Sequence, residues 1–452
     1  MSLTHGWIPL VAPLIALTTL AFAVGWRSRR WRLVALPVAL LAGVALAALT
    51  HRYVLFEGLA DQAPPMSVWV WIALSGLAVG VLVLGWRGSR WWRRGSSALA
   101  VPLCLLCAAL TLNTWVGYLP TVRSAWDRMT GTAPHAVTDR AALARLRQDG
   151  ARPGRTTLVS VRIPDAASGF AHRDELVYLP PAWYATTPPP LPVVMMIGGE
   201  FGHPADWWDS GGAGRTINDF AATHGGHAPV LVFVDYSGAF SNDTECVNGT
   251  RGNAADHLTK DVIPYMVSTF GVSSNPANWG IVGWSSGGTC ALTLAVMHPE
   301  LFRAFVDIDG QPGPNAGTKQ QTIARLFGGD PQAWAAFDPS TVITKHALYL
   351  GMSGWFAVSA PTATVYRPGR GGGAAQPTVA QNANSEDLAA TANALCQLGD
   401  NQGIECSVVP EPGRHDFSSA ATAFAHALPW LASKLKTPGV PKVSMPGSVA
   451  AP

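Results

Sequence analysis

One serine in this chain stands where a nucleophile could be built. Gly283-Trp284-Ser285-Ser286-Gly287 fits the spacing G-x-S-x-G, between a short apolar run (Gly280–Gly283) and the apolar segment that follows Gly288. In a strand–turn–helix elbow the central serine takes a strained backbone conformation that lifts its hydroxyl above the sheet edge. The flanking glycines are required because a side chain there would collide with the neighbouring strand or helix. The same turn puts the next N–H, that of Ser286, at a helix N-terminus, where it can stabilise an oxyanion.

A serine hydroxyl needs a base, and the base needs a carboxylate to hold it. In such a domain the expected order is serine, acid, histidine. Of the histidines after Ser285, His298 falls in the following helix, His346 precedes an apolar run and His426 lies inside the last helix. His415, in "PEPGRHDF", sits in a Gly-containing loop before that helix and is the expected base. The acid should fall between them. Glu386 and Asp387, at the start of the next helix, are both candidates, with Asp309 as the fallback; capping of that helix is the competing role for either. Asp416 is read as structural. A second oxyanion donor should come from "GGEFGHPADWW" (198–208), whose glycines let backbone approach a carbonyl. Glu200 N–H is preferred and Phe201 N–H is second.

The elements that must position these groups are legible as alternation. Strands are expected at 156–163, 175–180, 193–197, 230–234, 280–283, 304–308, 347–351 and 406–410, with helical segments at 254–270, after Ser285, at 386–399 and at 418–435. Uninterrupted apolar runs alternating with helices imply an α/β domain with a mostly parallel sheet, buried on both faces. Its expected limits are 155–436, followed by a disordered tail at 437–452.

Residues 1–119 are of another kind. Charged residues make up 13% of the 452-residue chain, against roughly 25% in an average soluble domain. The deficit is concentrated in four apolar runs, Ile8–Val24, Leu33–Thr50, Val68–Trp86 and Ser97–Leu119, with tryptophans at their ends. Four transmembrane helices are expected. No ionisable residue lies deep within them, so neither a proton relay nor an ion path is expected. The first and third loops carry Arg27, Arg29, Arg30, Arg32 and Arg87, Arg90, Arg93, Arg94, whereas the second has Arg52 against Glu57 and Asp61. The positive-inside rule then puts everything after the fourth helix outside the cytoplasm, beginning with a connector at 120–154. "DRAALARLRQD" (139–149) could be a short surface helix there.

A net charge of +3 without a basic stripe argues against nucleic acid. No set of ligands has metal or cofactor spacing, so neither is expected. Cys104 and Cys107 read as packing that faces lipid. Cys396 and Cys406 could pair if the domain meets an oxidising compartment.

From about Thr156 to Leu435 the chain resembles the putative-esterase family of α/β-hydrolases, which includes esterase D, bacterial feruloyl esterases and the antigen 85 mycolyltransferases. The resemblance is carried by "ELVYLPPAWYATTPPPLPVVMMIGGE", "HLTKDVIPYMVSTFGV", "GIVGWSSGGTCALTLAVMHPELFRAFVDIDG" and "PEPGRHDF". It implies an α/β-hydrolase fold, Ser285 as nucleophile, His415 as base, Glu386 as acid and Glu200 as oxyanion donor. Two positions depart from the family. Ile197 stands where the feruloyl-esterase branch has histidine, and Phe201 where the antigen 85 branch has a sugar-binding arginine. The stretch 352–385 is longer than usual and could be a flap. The expected activity is that of a membrane-anchored serine esterase or acyltransferase on acyl esters, including envelope glycolipids. Mycolyltransferase-like transfer to a sugar and a non-catalytic binding module are the alternatives. Membrane lipid is the other expected partner.

Overall fold

The computed structural model describes residues 1–59, 64–87, 89–130, 137–138, 141–143, 145, 157–359 and 387–447. The chain divides into two compact units, Met1–Thr132 and Ala133–Pro452.

The first unit is built from α1 (Ile8–Val24), α2 (Leu36–Glu57, entered through a π turn at Trp31–Ala35), α3 (Met66–Gly85), α4 (Trp91–Val116) and the short α5 (Val122–Thr130). The segment from Trp31 to Glu57, α3 and α4 are each long and apolar enough to cross a membrane. At 17 residues, α1 is apolar but shorter, so three of the four expected spans are met by length and composition. The helices pack α1 on α4, α4 on α3 and α3 on α2. Small residues make this close approach possible. A Cβ on Gly43 would lie 2.3 Å from the Ala73 carbonyl oxygen, and one on Gly80 would lie 2.7 Å from the Ala39 Cβ. Intimate packing of this kind is what holds helices together in lipid, where apolar attraction between them is weak. Leu14, Leu41 and Leu49 point outward instead. Cys104 and Cys107 do not face lipid. Both are buried against the other helices, because their i, i+3 spacing puts them on the inward side of α4.

The second unit is a nine-stranded sheet flanked by helices. Its strands are β1 (Val137–Thr138), β2 (Thr157–Val161), β3 (Glu175–Leu179), β4 (Val193–Ile197), β5 (Val230–Phe233), β8 (Trp279–Trp284), β9 (Ala304–Ile308), β10 (Ser353–Val358) and β11 (Glu405–Pro410). Asn248–Gly249 and Gly252–Asn253 form a separate small hairpin, β6–β7. The order is β1-β2-β3-β5-β4-β8-β9-β10-β11. Pairing is antiparallel only on either side of β3. The parallel centre is buried on both faces, which is why β4, β5 and β9 read as continuous apolar runs.

One expected strand is displaced. Residues 347–351 are not a strand, and Leu348 and Leu350 are exposed; the strand is Ser353–Val358. Gly354 hides it from a propensity reading, yet only glycine fits there, since a Cβ would lie 2.1 Å from the Phe305 ring. The stretch expected as a flap therefore begins with a core strand, and residues 360–386 lie outside the described residues. Most of the expected helix at 139–149 lies outside them too. The tail is also corrected. Thr437 and Met445 are buried, and the Ser407 hydroxyl donates to the Pro446 carbonyl at 2.6 Å, so residues 437–447 pack on the domain. Polar composition concealed these few anchoring contacts.

Candidate active site

Helix α6 (Ala213–Thr223) follows the loop after β4, and α7 (Ser286–Met297) follows β8. Between β8 and α7, Ser285 has φ 58° and ψ −127°. This backbone is strained for a residue with a side chain. It is held there by the Ser285 N–H donating to the Ile308 carbonyl at 2.9 Å. The two glycines of the motif have the expected steric cause. A Cβ on Gly283 would lie 1.8 Å from the Gly287 carbonyl oxygen, and one on Gly287 would lie 2.2 Å from that of Gly198. The second distance also places the start of α7 directly against the loop carrying Glu200. Ile197 and Gly283, the last paired residues of β4 and β8, fix that adjacency.

His415 stands in the loop between β11 and the final helix, with Nε2 3.0 Å from Ser285 Oγ. The two residues are 130 positions apart in sequence, and the structure brings them to hydrogen-bonding distance. The other histidines considered are engaged elsewhere: His298 with Glu300, His346 with the Ala347 carbonyl and His426 with Glu411.

The carboxylate beside His415 is that of Asp309, the fallback in the sequence. Its Oδ2 is 3.4 Å from Nδ1, within ion-pair distance. The two are not aligned as a hydrogen bond, and Nδ1 is buried without such a partner among the described residues. Asp309 follows β9 with φ 53°, and its side chain is fully buried. It accepts the Ser359 N–H at 2.7 Å and the Ser359 hydroxyl at 2.5 Å. Glu386 lies outside the described residues. Asp387 is a helix cap: it is exposed and accepts the Ala390 N–H at 2.9 Å, opening α8 (Leu388–Asn401). Asp416 caps α9 (Phe417–Lys434) through Ser419 N–H, the structural role expected of it.

Three supports were not apparent in the sequence. Arg173 grips Asp235 through Nη2 (2.6 Å) and Nε (2.9 Å) and also donates to the Gly202 carbonyl at 2.8 Å. It thereby ties the Glu200 loop to the end of β5. Burial alone would raise the Asp235 carboxyl, but the Arg173 hydrogen bonds and charge hold it down to about 2. Tyr236 places its hydroxyl 2.8 Å from Ser286 Oγ. The Cys246–Cys290 disulfide fastens the loop after Tyr236 to α7, and Cys396–Cys406 is bonded as well. These partners are 62, 50 and 44 positions apart, and no local spacing signals them.

A further carboxylate, Asp307, lies under the elbow and accepts the Gly310 N–H at 2.9 Å. Burial, with the nearby Asp309 charge, pushes it up to about 7. His172, Glu175 and His257 bring ligand-type atoms within 4.8 Å of one another. Their ring nitrogens are already engaged, His172 with two backbone carbonyls and His257 with Glu175 and Asp261. The group is thus organised as a buried hydrogen-bonded network. Burial works against charge on His257, yet Glu175 and Asp261 push it above its usual range.

The chain is similar to several known proteins. An uncharacterized protein of Corynebacterium glutamicum is 28% identical over 415 residues, covering 90% of each chain. An S-formylglutathione hydrolase from Agrobacterium tumefaciens shares 16% identity, covering 62% of this chain and 95% of its own, with a TM-score of 0.44. MPT51 from Mycobacterium tuberculosis shares 16%, covering 62% and 98%, with a TM-score of 0.41. These structural likenesses are too distant to speak for the chemistry. Residues 172–308, which include the elbow, match the family model described as "Putative esterase". Over that segment the chain resembles the putative esterase family, and its second unit has the mostly parallel, helix-flanked sheet of an α/β-hydrolase fold, which together support an enzyme of the serine hydrolase or acyltransferase class.

Proposed function

We propose that the protein is a membrane-anchored serine esterase or acyltransferase that acts on acyl esters at the outer face of the cytoplasmic membrane. The observation that carries this reading is the 3.0 Å approach of His415 Nε2 to the hydroxyl of a backbone-strained Ser285. Ser285 attacks the ester carbonyl while His415 accepts its proton. The Ser286 N–H and the Glu200 N–H stabilise the oxyanion of the tetrahedral intermediate. His415 then returns the proton to the departing alkoxide, leaving an acyl-enzyme that water or a sugar hydroxyl resolves.

Asp309 is the acid this geometry favours, since its carboxylate faces Nδ1; Glu386 is the acid the family resemblance favours. On the oxyanion loop, Phe201 stacks 5.3 Å from the exposed Phe240. An aromatic pair there suits an apolar acyl group such as that of a lipid or glycolipid. The two disulfides suit an oxidising, extracytoplasmic compartment, as does the arginine bias of the loops.

Intact and lysed cells are to be labelled with a membrane-impermeant fluorophosphonate. Intact wild-type cells should label, and Ser285→Ala should not. Labelling only after lysis would refute the orientation alone. A folded protein that never labels would refute the chemistry.

A further inference from the structure

The first and third loops of the membrane unit gather arginine at one place. Arg27, Arg30, Arg87, Arg90 and Arg93, with Trp31, line a cavity of about 860 Å³. Arg27 is held by backbone and side-chain acceptors around it. It donates to the carbonyls of Ala23, Val24 and Gly85 and to the Ser89 hydroxyl, with its guanidinium 4.1 Å over the Trp31 ring. Arg93 closes another side. Gly25 lets it in, since a Cβ there would lie 2.9 Å from the Arg93 Cζ. Its Nε is buried with no hydrogen-bond partner among the described residues.

No carboxylate among the described residues of this unit neutralises the cluster. Residues 1–132 contain three acids, Glu57, Asp61 and Asp127. Glu57 ends the 22-residue α2, about 33 Å from its start. Asp61 lies outside the described residues. Asp127 follows α4, which has by then run 26 residues away from Arg90. Burial, and then the Arg93 charge, push the Arg27 guanidinium below its ordinary value. The cavity is thus a concentration of forked donors with no carboxylate acceptor among the described residues of its unit, and this arrangement suits phosphate.

The cavity does not end among the arginines. Val38 and Leu84 line it and also line a second space of about 460 Å³ that runs along α2 and α3. This groove is apolar and floored by small residues, Ala39, Ala42, Gly76 and Gly80. The tight backbone contact at Gly76, where a Cβ would lie 2.8 Å from Gly43 Cα, leaves the flanking Leu46, Val79 and Val83 standing as its sides.

We propose that this composite cavity is a binding site for one anionic phospholipid, with the phosphate among the arginines and an acyl chain along the α2–α3 groove. Any groove on a spanning helix takes up hydrocarbon. The arginines select the ligand's charge, and their continuity with the groove selects a lipid over a soluble phosphate. Basic pockets between membrane helices hold anionic headgroups in this way.

The test uses the full chain in detergent micelles, with lipid retention read by native mass spectrometry. Phosphatidylglycerol and phosphatidylcholine of identical acyl chains are compared. Arg27 braces backbone and Arg93 packs against Gly25, so the variant is Arg30→Gln with Arg90→Gln, at two exposed positions. The wild type should retain phosphatidylglycerol at least about tenfold better, and the double variant should lose most of that preference, from roughly 1 kcal/mol for each arginine. Ala42→Phe, which fills the groove, should weaken retention of both lipids. Equal retention of the two lipids by the wild type overturns the proposal, as does an unchanged preference in the double variant. Binding of glycerol 1-phosphate as tight as that of the lipid, with Ala42→Phe without effect, would make the site one for a soluble phosphate and overturn the lipid assignment.

Discussion

The two units treat buried and half-buried charge in opposite ways. In the α/β unit, charges meet partners from the same chain. Arg173 clasps Asp235, whose side chain is 1% exposed, and His257 lies between Glu175 at 3.1 Å and Asp261 at 3.4 Å. In the helical first unit, five arginines share one cavity with no carboxylate among the described residues of that unit in reach. Internal pairing spends the strength of a charge on rigidity: Arg173 fixes the loop that bears the proposed oxyanion donor. Unpaired charge leaves that strength for something outside the chain. Charges of the first kind should fail structurally when one partner is removed, and those of the second kind should fail only in binding.

The strongest way to break this contrast lies at His415, where pairing is incomplete. Asp309 faces Nδ1 at 3.4 Å without an aligned hydrogen bond. If Asp309 is the acid, the pair tightens as positive charge develops on the imidazole. Asp309→Asn should then lower kcat by about 10³-fold or more, as loss of the orienting acid does in serine hydrolases. Glu386→Gln should stay within roughly tenfold of wild type, since it then lacks that orienting role. Steady-state hydrolysis of an activated ester measures both. The opposite ranking would hand the role to Glu386 and leave Asp309 as a strained support for Ser359.

Removing Arg173 tests self-pairing directly. Arg173→Ala leaves Asp235 buried beside an empty space and should destabilise the α/β unit by about 3–5 kcal/mol. Urea unfolding followed by tryptophan fluorescence would show it. The sign with pH follows from Asp235, held at about 2 in the folded state, against about 3.9 unfolded. Its stabilising contribution is complete above the unfolded value and is lost as pH falls through the folded one. The gap between wild type and variant should therefore narrow below about pH 4. A gap constant down to pH 2 would mean that Arg173 acts by packing alone.

Asp307 departs from that pattern inside the α/β unit: it is a buried carboxyl with no ion-pair partner among the described residues. It is pushed up to about 7, so the folded state keeps its proton while the unfolded state releases one near pH 3.9. Stability should fall as pH rises between those values and level off above the upper one. Asp307→Asn keeps an acceptor for the Gly310 N–H and carries no charge. It should be more stable than wild type by roughly 2–4 kcal/mol at pH 8, and the advantage should shrink toward pH 4. Thermal melts at three pH values decide it. An advantage independent of pH would show that the carboxyl is not ionised over this range.

How much of this could be read from the chain depends on the range of each interaction. The elbow was legible because its constraints are local: Gly283 and Gly287 are glycine for clashes within a few residues and with the adjoining strand end. His415 was legible by elimination, since its rivals fall in a helix or beside a strand. Strand β10 was missed because Gly354 breaks a propensity reading, and its reason is a ring on β9. The choice of acid rested on resemblance, which favoured Glu386, whereas the carboxylate that faces His415 comes from the turn after β9. Arg173 and Asp235 are 62 residues apart, and only the antiparallel pairing of β3 with β5 makes them neighbours. The basic loops were read as an orientation signal. Their convergence into one cavity depends on how α1, α2 and α3 pack, which loop composition does not encode.

The finest test uses two arginines near each other on the same sheet edge. Arg162 reaches Asp174 at 3.4 Å with side chains 64% and 62% exposed, whereas the residue just before Asp174, Arg173, makes the buried clasp. Water screens the first pair almost completely, and holding two long side chains together offsets what attraction remains. Arg162→Ala should thus change unfolding stability by no more than about 0.5 kcal/mol and leave ester hydrolysis as it was. A loss comparable with that of Arg173→Ala would mean that exposure does not separate the two pairs. The division between structural and available charge would then have to be drawn by position in the fold, with both arginines counted among the supports of the sheet edge.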